Sequence, residues 1–539
     1  MLPRRPVPPT PGVRVRRTVL LATTLTLAIG SLASPAQELP DIGSSAGELL
    51  SPVEQAQYGQ MLLSQLRHYG YTLEDPLLDG WLQQVGARLG AASDQPRQDF
   101  TFFLLEDRQI NAFATLGGYI GVNAGLVLAA DREDEVASVL AHEIAHVTQD
   151  HVLRGVEQAQ KDSIPILLAM LGVVVAAQAA GGNSDDDATQ AAIAGAMGLM
   201  QQRQIDFTRS HESEADRIGI RNLDRAGYDP DAMAAFFQTL QEVVRVNRGG
   251  DERVRTPDYL QTHPVTLTRI SEARQRAERM AGDGDRFVAS ASRSDNPLLP
   301  GGLQLPPDAL RPDTEVRFGW ARERLRVLTA DTPAAAIREY TLMRDAGPLD
   351  DAHQYGLAIA YLRDNQAGAA MALLEPLLEA HPRDPWLELA MGQAEARAGQ
   401  AEAADRRFEA LLRRMPRDRA VAITYAEVLA ERNDPAAGRR AQDALRPLQA
   451  TAGDDPSFQR TYARASEIAG EPVRAGEAWA EVAYLTGRPE QALLQLRTLK
   501  QREDLDYYSR ARIDARIAQI TPVVLELRRQ GIRDEVLER

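Results

Sequence analysis

DREDEVASVLAHEIAHVTQDH, residues 131–151, is the stretch on which the reading of this 539-residue chain turns. It opens with acids, Asp131, Glu133, Asp134 and Glu135, which complement the positive end of a helix dipole. Val136, Val139, Leu140, Ile144 and Val147 then recur at spacings of three and four, the period of a helix with a core-facing side. Embedded in that helix is His142-Glu143-Ile144-Ala145-His146. Residues four apart on a helix lie about 40° apart around its axis, so both imidazoles can reach one ion at the short distance zinc requires. Glu143 flanks the ion without ligating it and can take a proton from a water that zinc acidifies to a pKa of about 7. His151 comes nine residues after His142, about 180° around the helix, and is expected at the surface or behind the ligands.

Composition narrows the chemistry. The chain has no Cys, which excludes disulfides, iron–sulfur clusters, thiolate catalysis and Cys-type zinc sites. Any metal must sit on His and carboxylates. Lys plus Arg number 61 against 76 Asp plus Glu, and no basic arm appears in the body of the chain, so nucleic acid is not expected as a partner. A third zinc ligand has to come from downstream, where Arg209-Ser210-His211-Glu212-Ser213-Glu214-Ala215-Asp216-Arg217 offers three acids and a His on a predicted helix. Glu212 and Asp216 share a face, Glu214 points elsewhere and should be solvated or paired with Arg, and His211 is a candidate by type alone.

Around this core the chain divides into units, as its length requires at roughly 150 residues per domain. Residues 1–36 read as a cleavable signal peptide: Arg4, Arg5, Arg14, Arg16 and Arg17, then an apolar run from Thr18 to Leu32, then small residues. Removal of those five Arg leaves 56 basic against 76 acidic residues. Residues 37–50 read as a linker, 51–283 as the zinc-peptidase domain, 284–315 as a second linker rich in Ser, Pro, Gly and Asp, and 316–539 as helical repeats. Helical periodicity covers 51–95 and 201–245, and strands are expected at Asp99–Leu105 and Tyr119–Val122. The apolar stretch 164–180 is 17 residues long and interrupted by Pro165, Gly172 and Gln178, too short to span a membrane. It reads either as a buried core helix or as a hairpin with 190–200 beside the active-site cleft, in peripheral contact with a membrane.

Pro348, Pro382 and Pro416 recur at a period of 34, with Gly392, Gly399, Ala404 and Phe408 between the last two. This resembles tetratricopeptide (TPR) repeats, in which small residues let paired helices approach and each pair buries its face on the next. The expected fold is thus α+β and mostly helical: an HExxH zinc-peptidase domain with a small β-sheet, then an α-solenoid of TPR-like helix pairs.

The HEIAH motif, the downstream ESEAD and the upstream Asn111-Ala112-Phe113-Ala114-Thr115-Leu116-Gly117-Gly118-Tyr119-Ile120 together resemble the zinc metallopeptidase family that includes HtpX and the CAAX-prenyl endopeptidases. Thr262-His263-Pro264 and the C-terminal repeats place the resemblance closest to its exported, BepA-like subgroup. The resemblance implies one Zn2+ per subunit on His142, His146 and Glu212, with Glu143 as general base. It makes Asp216 a second acid that steadies the site and can donate a proton. The Gly117, Gly118, Tyr119 and Ile120 segment is expected to form a sheet edge beside the zinc that takes up extended substrate by backbone hydrogen bonds. His263, on a loop ahead of a helix, is expected as a fourth ligand that latches the site, with two alternatives: a group that binds substrate or the transition state, or one that only caps the helix or packs against the linker. The implied role is a periplasmic endopeptidase and chaperone acting on unfolded or misassembled envelope proteins, with contact to the outer-membrane assembly machinery through the repeats. The rival reading is a TPR scaffold with a silent peptidase site. A zinc hydrolase acting on something other than a peptide is a third.

Overall fold

The computed structural model describes residues 50–154, 209–248, 259–260, 263–282 and 314–529. The signal peptide, most of both linkers, and the 164–180 and 190–200 segments lie outside the described residues. Among the described residues, no helix is long and apolar enough to cross a membrane.

The peptidase part begins with α1 (Pro52–His68), closed by a capping box between Ser51 and Glu54. β1 (Thr72–Leu73) leads to α2 (Pro76–Ala92), which starts on an Asp75 cap followed by proline. β2 (Thr101–Leu105), β3 (Ala112–Ala114) and β4 (Tyr119–Asn123) complete a mixed sheet in the order β1-β2-β4-β3, with β2 and β4 parallel. After the short α3 (Ala124–Ala129) comes α4 (Glu133–Thr148), which carries HExxH. Fourteen of its residues are buried, so this is a core helix. Glu133 at its start is itself buried and accepts hydrogen bonds from Trp81 Nε1 at 2.9 Å and Tyr228 Oη at 3.3 Å, which ties α4 to α2. Three helices close the site: α5 (Arg209–Arg225), α6 (Ala232–Arg248) and α7 (Leu267–Gly282).

One expectation is corrected here. The Gly117–Ile120 segment is not a sheet edge, because β4 pairs with β2 on one side and β3 on the other. The double glycine answers to packing. Gly117 has φ of +74°, and a Cβ there would meet the Ala56 Cα at 2.6 Å, under α1; a Cβ on Gly118 would meet the Asp99 carbonyl oxygen at 2.3 Å. The outer strand next to α4 is β3.

From Thr314 to Arg529 the described chain is helical, twelve α-helices in succession, each packed on its neighbours as a solenoid. They are α8 (Thr314–Leu328), α9 (Pro333–Ala346), α10 (Asp351–Arg363), α11 (Ala367–Ala380), α12 (Pro385–Arg397), α13 (Ala401–Arg414), α14 (Arg419–Glu431), α15 (Pro435–Leu445), α16 (Pro456–Ala469), α17 (Pro472–Leu485), α18 (Pro489–Lys500) and α19 (Tyr507–Arg529). The turns after α10, α12 and α14 each carry a left-handed residue, Asn365, Gly399 and Asn433, 34 residues apart. A Cβ on Gly392 would lie 2.8 Å from the Phe408 ring, the close small-to-aromatic approach that the repeat spacing implies.

Candidate metal centre

His142 and His146 project from α4 four residues apart, as the helical period dictates, and their Nε2 atoms lie 3.0 Å from each other. Helix α5 crosses α4 closely because the contact is built from small residues: Ala215 and Ile218 pack on Ala145, and Gly219 lies against the His142 backbone. That approach brings Glu212 to the two imidazoles, Oε1 at 3.4 Å from His146 Nε2 and Oε2 at 3.6 Å from His142 Nε2. His263 enters from the loop before α7. Its Nδ1 lies 3.3 Å from His142 Nε2 and 2.9 Å from Glu212 Oε1, and its side chain is fully buried. The His263 N–H donates to the Tyr259 carbonyl and the Tyr259 N–H to the Ile110 carbonyl, hanging this loop from the lead-in to β3.

One ligand atom from each of His142, His146, Glu212 and His263 lies within 4.8 Å of all the others. A tetrahedral zinc site with bonds of about 2.0–2.1 Å has donor–donor edges of about 3.3 Å. The observed separations scatter around that edge, and the donor set is nitrogen and oxygen with no sulfur, so these residues fit zinc.

The surrounding groups set the charge of the centre. Asp216, one turn after Glu212 on α5, reaches His142 Nδ1 at 3.0 Å. Arg269 of α7 grips both Asp216 oxygens, Nε at 2.7 Å and Nη2 at 2.8 Å, while its Nη1 reaches Glu212 at 2.9 Å. The Phe237 ring lies 4.8 Å from the guanidinium. Burial disfavours the charged form of Asp216, but Arg269 and His142 outweigh it and hold its pKa below the ordinary range. Both oxygens of Asp216 are thereby engaged as an anion. These contacts with His142 and Arg269 suit the steadying part of the role expected of Asp216. Burial disfavours the His142 cation, yet Asp216 and Glu212 outweigh it and push its pKa up to about 10. Burial, together with the neighbouring imidazoles, pulls His146 down to about 4. Glu143 is fully buried beside the donors, 3.6 Å from His263 Nε2, and burial raises its carboxyl above the ordinary range against the pull of His263 and His142.

His151 takes the second of its two expected places, behind the ligands and not at the surface. It is buried, with Nδ1 3.1 Å from His146 Nδ1 and Nε2 3.3 Å from Glu214 Oε2. The helix ends at Thr148, and Asp150 turns the chain with φ of +53°, so the 180° projection does not apply. Glu214 keeps its expected Arg partner as well, Arg217 at 3.8 Å. His211 stacks on His151 with ring centroids 4.7 Å apart. Sequence reasoning missed the part played by Arg269; the only local signal was its place on the helix that follows Thr262-His263-Pro264.

A core helix presenting two His and a Glu, joined by a carboxylate from a second helix, defines a metallopeptidase. Comparison with known proteins agrees. The model of peptidase family M48 matches residues 76–277. The chain is 36% identical over 490 residues to the beta-barrel assembly-enhancing protease of Vibrio cholerae serotype O1, across 90% of this chain and 92% of that one. It is 32% identical over 378 residues to the beta-barrel assembly-enhancing protease of Escherichia coli K12, 69% of each chain. The mitochondrial metalloendopeptidase OMA1 of Saccharomyces cerevisiae is 27% identical over 161 residues, 30% of this chain and 41% of that one. The chain belongs to peptidase family M48, among the beta-barrel assembly-enhancing proteases, and is a metalloprotease.

Proposed function

We propose that this chain is an exported zinc endopeptidase of the periplasm that degrades, or assists the assembly of, misfolded and stalled outer-membrane proteins. The observation that carries the reading is the buried convergence of His142, His146 and Glu212 with Glu143 alongside. Zinc held there supplies Lewis acidity for a scissile carbonyl and acidifies water. Glu143 takes the proton of the attacking water and passes it to the leaving amine, the task of a buried carboxylate with a raised pKa. Asp216, fixed by Arg269, orients His142. An extended substrate adding to the sheet by backbone hydrogen bonds meets β3, since β4 has no free edge.

A donor atom of His263 lies within 4.8 Å of those of His142, His146 and Glu212, which supports reading it as a fourth ligand, a latch that closes the site at rest. The reading draws support from its complete burial and its contact with Glu212 and Glu143. The solenoid, with its 34-residue period, suits a TPR-like surface for client chains or for the outer-membrane assembly machinery. The relatives' printed name, which joins protease to beta-barrel assembly, supports that substrate class.

The test is cleavage of casein and of an unfolded porin by the purified mature chain, with and without a zinc chelator. Chelator-sensitive cleavage is expected. A chain that binds porin but cleaves nothing under either condition would favour the scaffold reading.

A further inference from the structure

We infer that His151, backed by Glu214, is the positioning residue for His146, fixing the tautomer and direction of that imidazole as Asp216 does for His142. The inference rests on the zinc reading above. It begins with the backbone. Asp150 adopts the left-handed conformation, φ +53°, which is uncommon for a residue with a side chain and is retained only where the surroundings hold it. A helical turn restarts immediately, with the Arg154 N–H donating to the Asp150 carbonyl at 2.8 Å. The reversal swings His151 from the far side of α4 to a buried position, its ring edge-on to His146 with centroids 4.9 Å apart at 74°.

The two ring contacts then support one proton pattern. An imidazole that gives its Nε2 lone pair to a metal carries its proton on Nδ1. His146 Nδ1–H must therefore donate, and the group 3.1 Å away is His151 Nδ1, which has to accept. His151 then carries its proton on Nε2, which points at Glu214 Oε2, 3.3 Å away. The carboxylate locks the second ring, and the second ring locks the first. His211, stacked at 27° to His151, holds the plane of that ring. Metal-bound His side chains almost always donate their other N–H to a fixed acceptor. Here His142 meets an anion directly, whereas His146 meets a neutral ring with the anion one step further out. Helix α5 supplies Glu212, Asp216 and Glu214, and so serves the ligand set and both outer partners.

The experiment compares His151→Phe, which keeps a stacking ring but cannot accept, with His151→Asn, whose amide oxygen can replace Nδ1 as acceptor. Zinc affinity is read by competition with a chromophoric chelator. The visible bands of the Co2+-loaded protein report ligand geometry, and unfolding of the metal-free chain controls for fold. The expected result is an affinity loss of about 10- to 100-fold with altered Co2+ bands for His151→Phe. His151→Asn should recover most of both, with the metal-free unfolding midpoints alike. Native zinc affinity in His151→Phe, or no advantage of Asn over Phe, overturns the inference. If a position-151 variant fails to fold, the partly exposed Glu214 puts the same question: Glu214→Ala should weaken zinc and Glu214→Gln should not, and equal affinities overturn it. A native chain that binds neither zinc nor Co2+ sinks the zinc reading itself, so the two failures are told apart.

Discussion

Arg269 bridges two buried carboxylates of α5, Glu212 and Asp216, and so weighs heavily in the charge balance of the centre. Burial pushes Glu212 and Asp216 up, but the imidazoles of His263, His142 and His146 around Glu212, and Arg269 with His142 around Asp216, more than reverse this, so both native pKa values lie below the unfolded ones. A carboxylate of that kind contributes stability above its unfolded pKa and loses it as pH falls through the native one. In metal-free protein, Arg269→Met should lower stability at pH 7 by about 3–5 kcal/mol, because it strands buried charge. The gap to the native chain should be smaller at an acid pH below the ordinary carboxylate range than at pH 7, since only there do the depressed carboxyls of the native chain take up protons. Denaturant midpoints at the two pH values check this; a constant gap would show that the loss is packing alone. Two further outcomes separate ligand from base. Glu143→Gln should keep one zinc per chain and lose cleavage, whereas His146→Ala should lose the metal, both read by metal analysis beside a peptidase assay. His263→Ala has a sign that decides its role. A latch predicts faster cleavage, including self-cleavage, with zinc retained, and slower cleavage would assign His263 to substrate or transition state instead.

The working element is the α4–α5 crossing. Two helices approach this closely only where one offers no side chain, and Gly219 does so: a Cβ there would sit 3.1 Å from the His142 nitrogen. Gly219→Ala adds a tight contact but gains helix propensity of about 1 kcal/mol, so a small net change is expected. Gly219→Val overfills the crossing and should cost about 1–3 kcal/mol. It should also loosen zinc, because it lifts Glu212 and Asp216 from the imidazoles. Thermal unfolding and chelator competition report the two effects, and native zinc affinity in Gly219→Val would disprove the coupling. Legibility at this scale was uneven. The i, i+4 pairs His142/His146 and Glu212/Asp216 were readable because a helix turns spacing into direction. β1 and β3, two and three residues long, were not, since strands so short show no alternation to count.

At the scale of the whole molecule, peptidase and solenoid share a core. Leu78, Trp81 and Leu82 of α2 belong to the same buried cluster as Phe318, Trp320 and Tyr355 of the first repeats. The acidic start of α2 is held by arginines from separated solenoid helices: Arg324 bidentate on Asp75 at 2.6 and 2.8 Å, Arg419 on Asp79 at 3.0 Å, and Arg460 on Glu74 at 3.1 Å. Near the far end, Gly487 packs against the Ser64 carbonyl of α1. The solenoid therefore meets the peptidase part at both α1 and α2. Arg324→Ala leaves Asp75 buried without its cation and should cost about 3–5 kcal/mol. Zinc affinity of the folded fraction should be unchanged, since Arg324 is not among the donors or their partners. Denaturant unfolding with zinc titration checks both, and an undiminished midpoint would mean this junction is not the support it looks to be.

What the sequence by itself determined is what short-range periodicity can encode: the HExxH helix, the shared face of Glu212 and Asp216, and the 34-residue recurrence, seen again in the left-handed turns Asn365, Gly399 and Asn433. Each is a spacing that a helix or a repeat converts directly into geometry. The tertiary structure alone decided which strand is the edge, that Asp216 lies against His142 under the grip of Arg269, and that one left-handed Asp150 returns His151 to the side of His146. Asp216 and Arg269 are 53 residues apart and Asp75 and Arg324 are 249 apart. Contacts of that separation are selected by how whole helices pack, so no spacing along a single chain announces them.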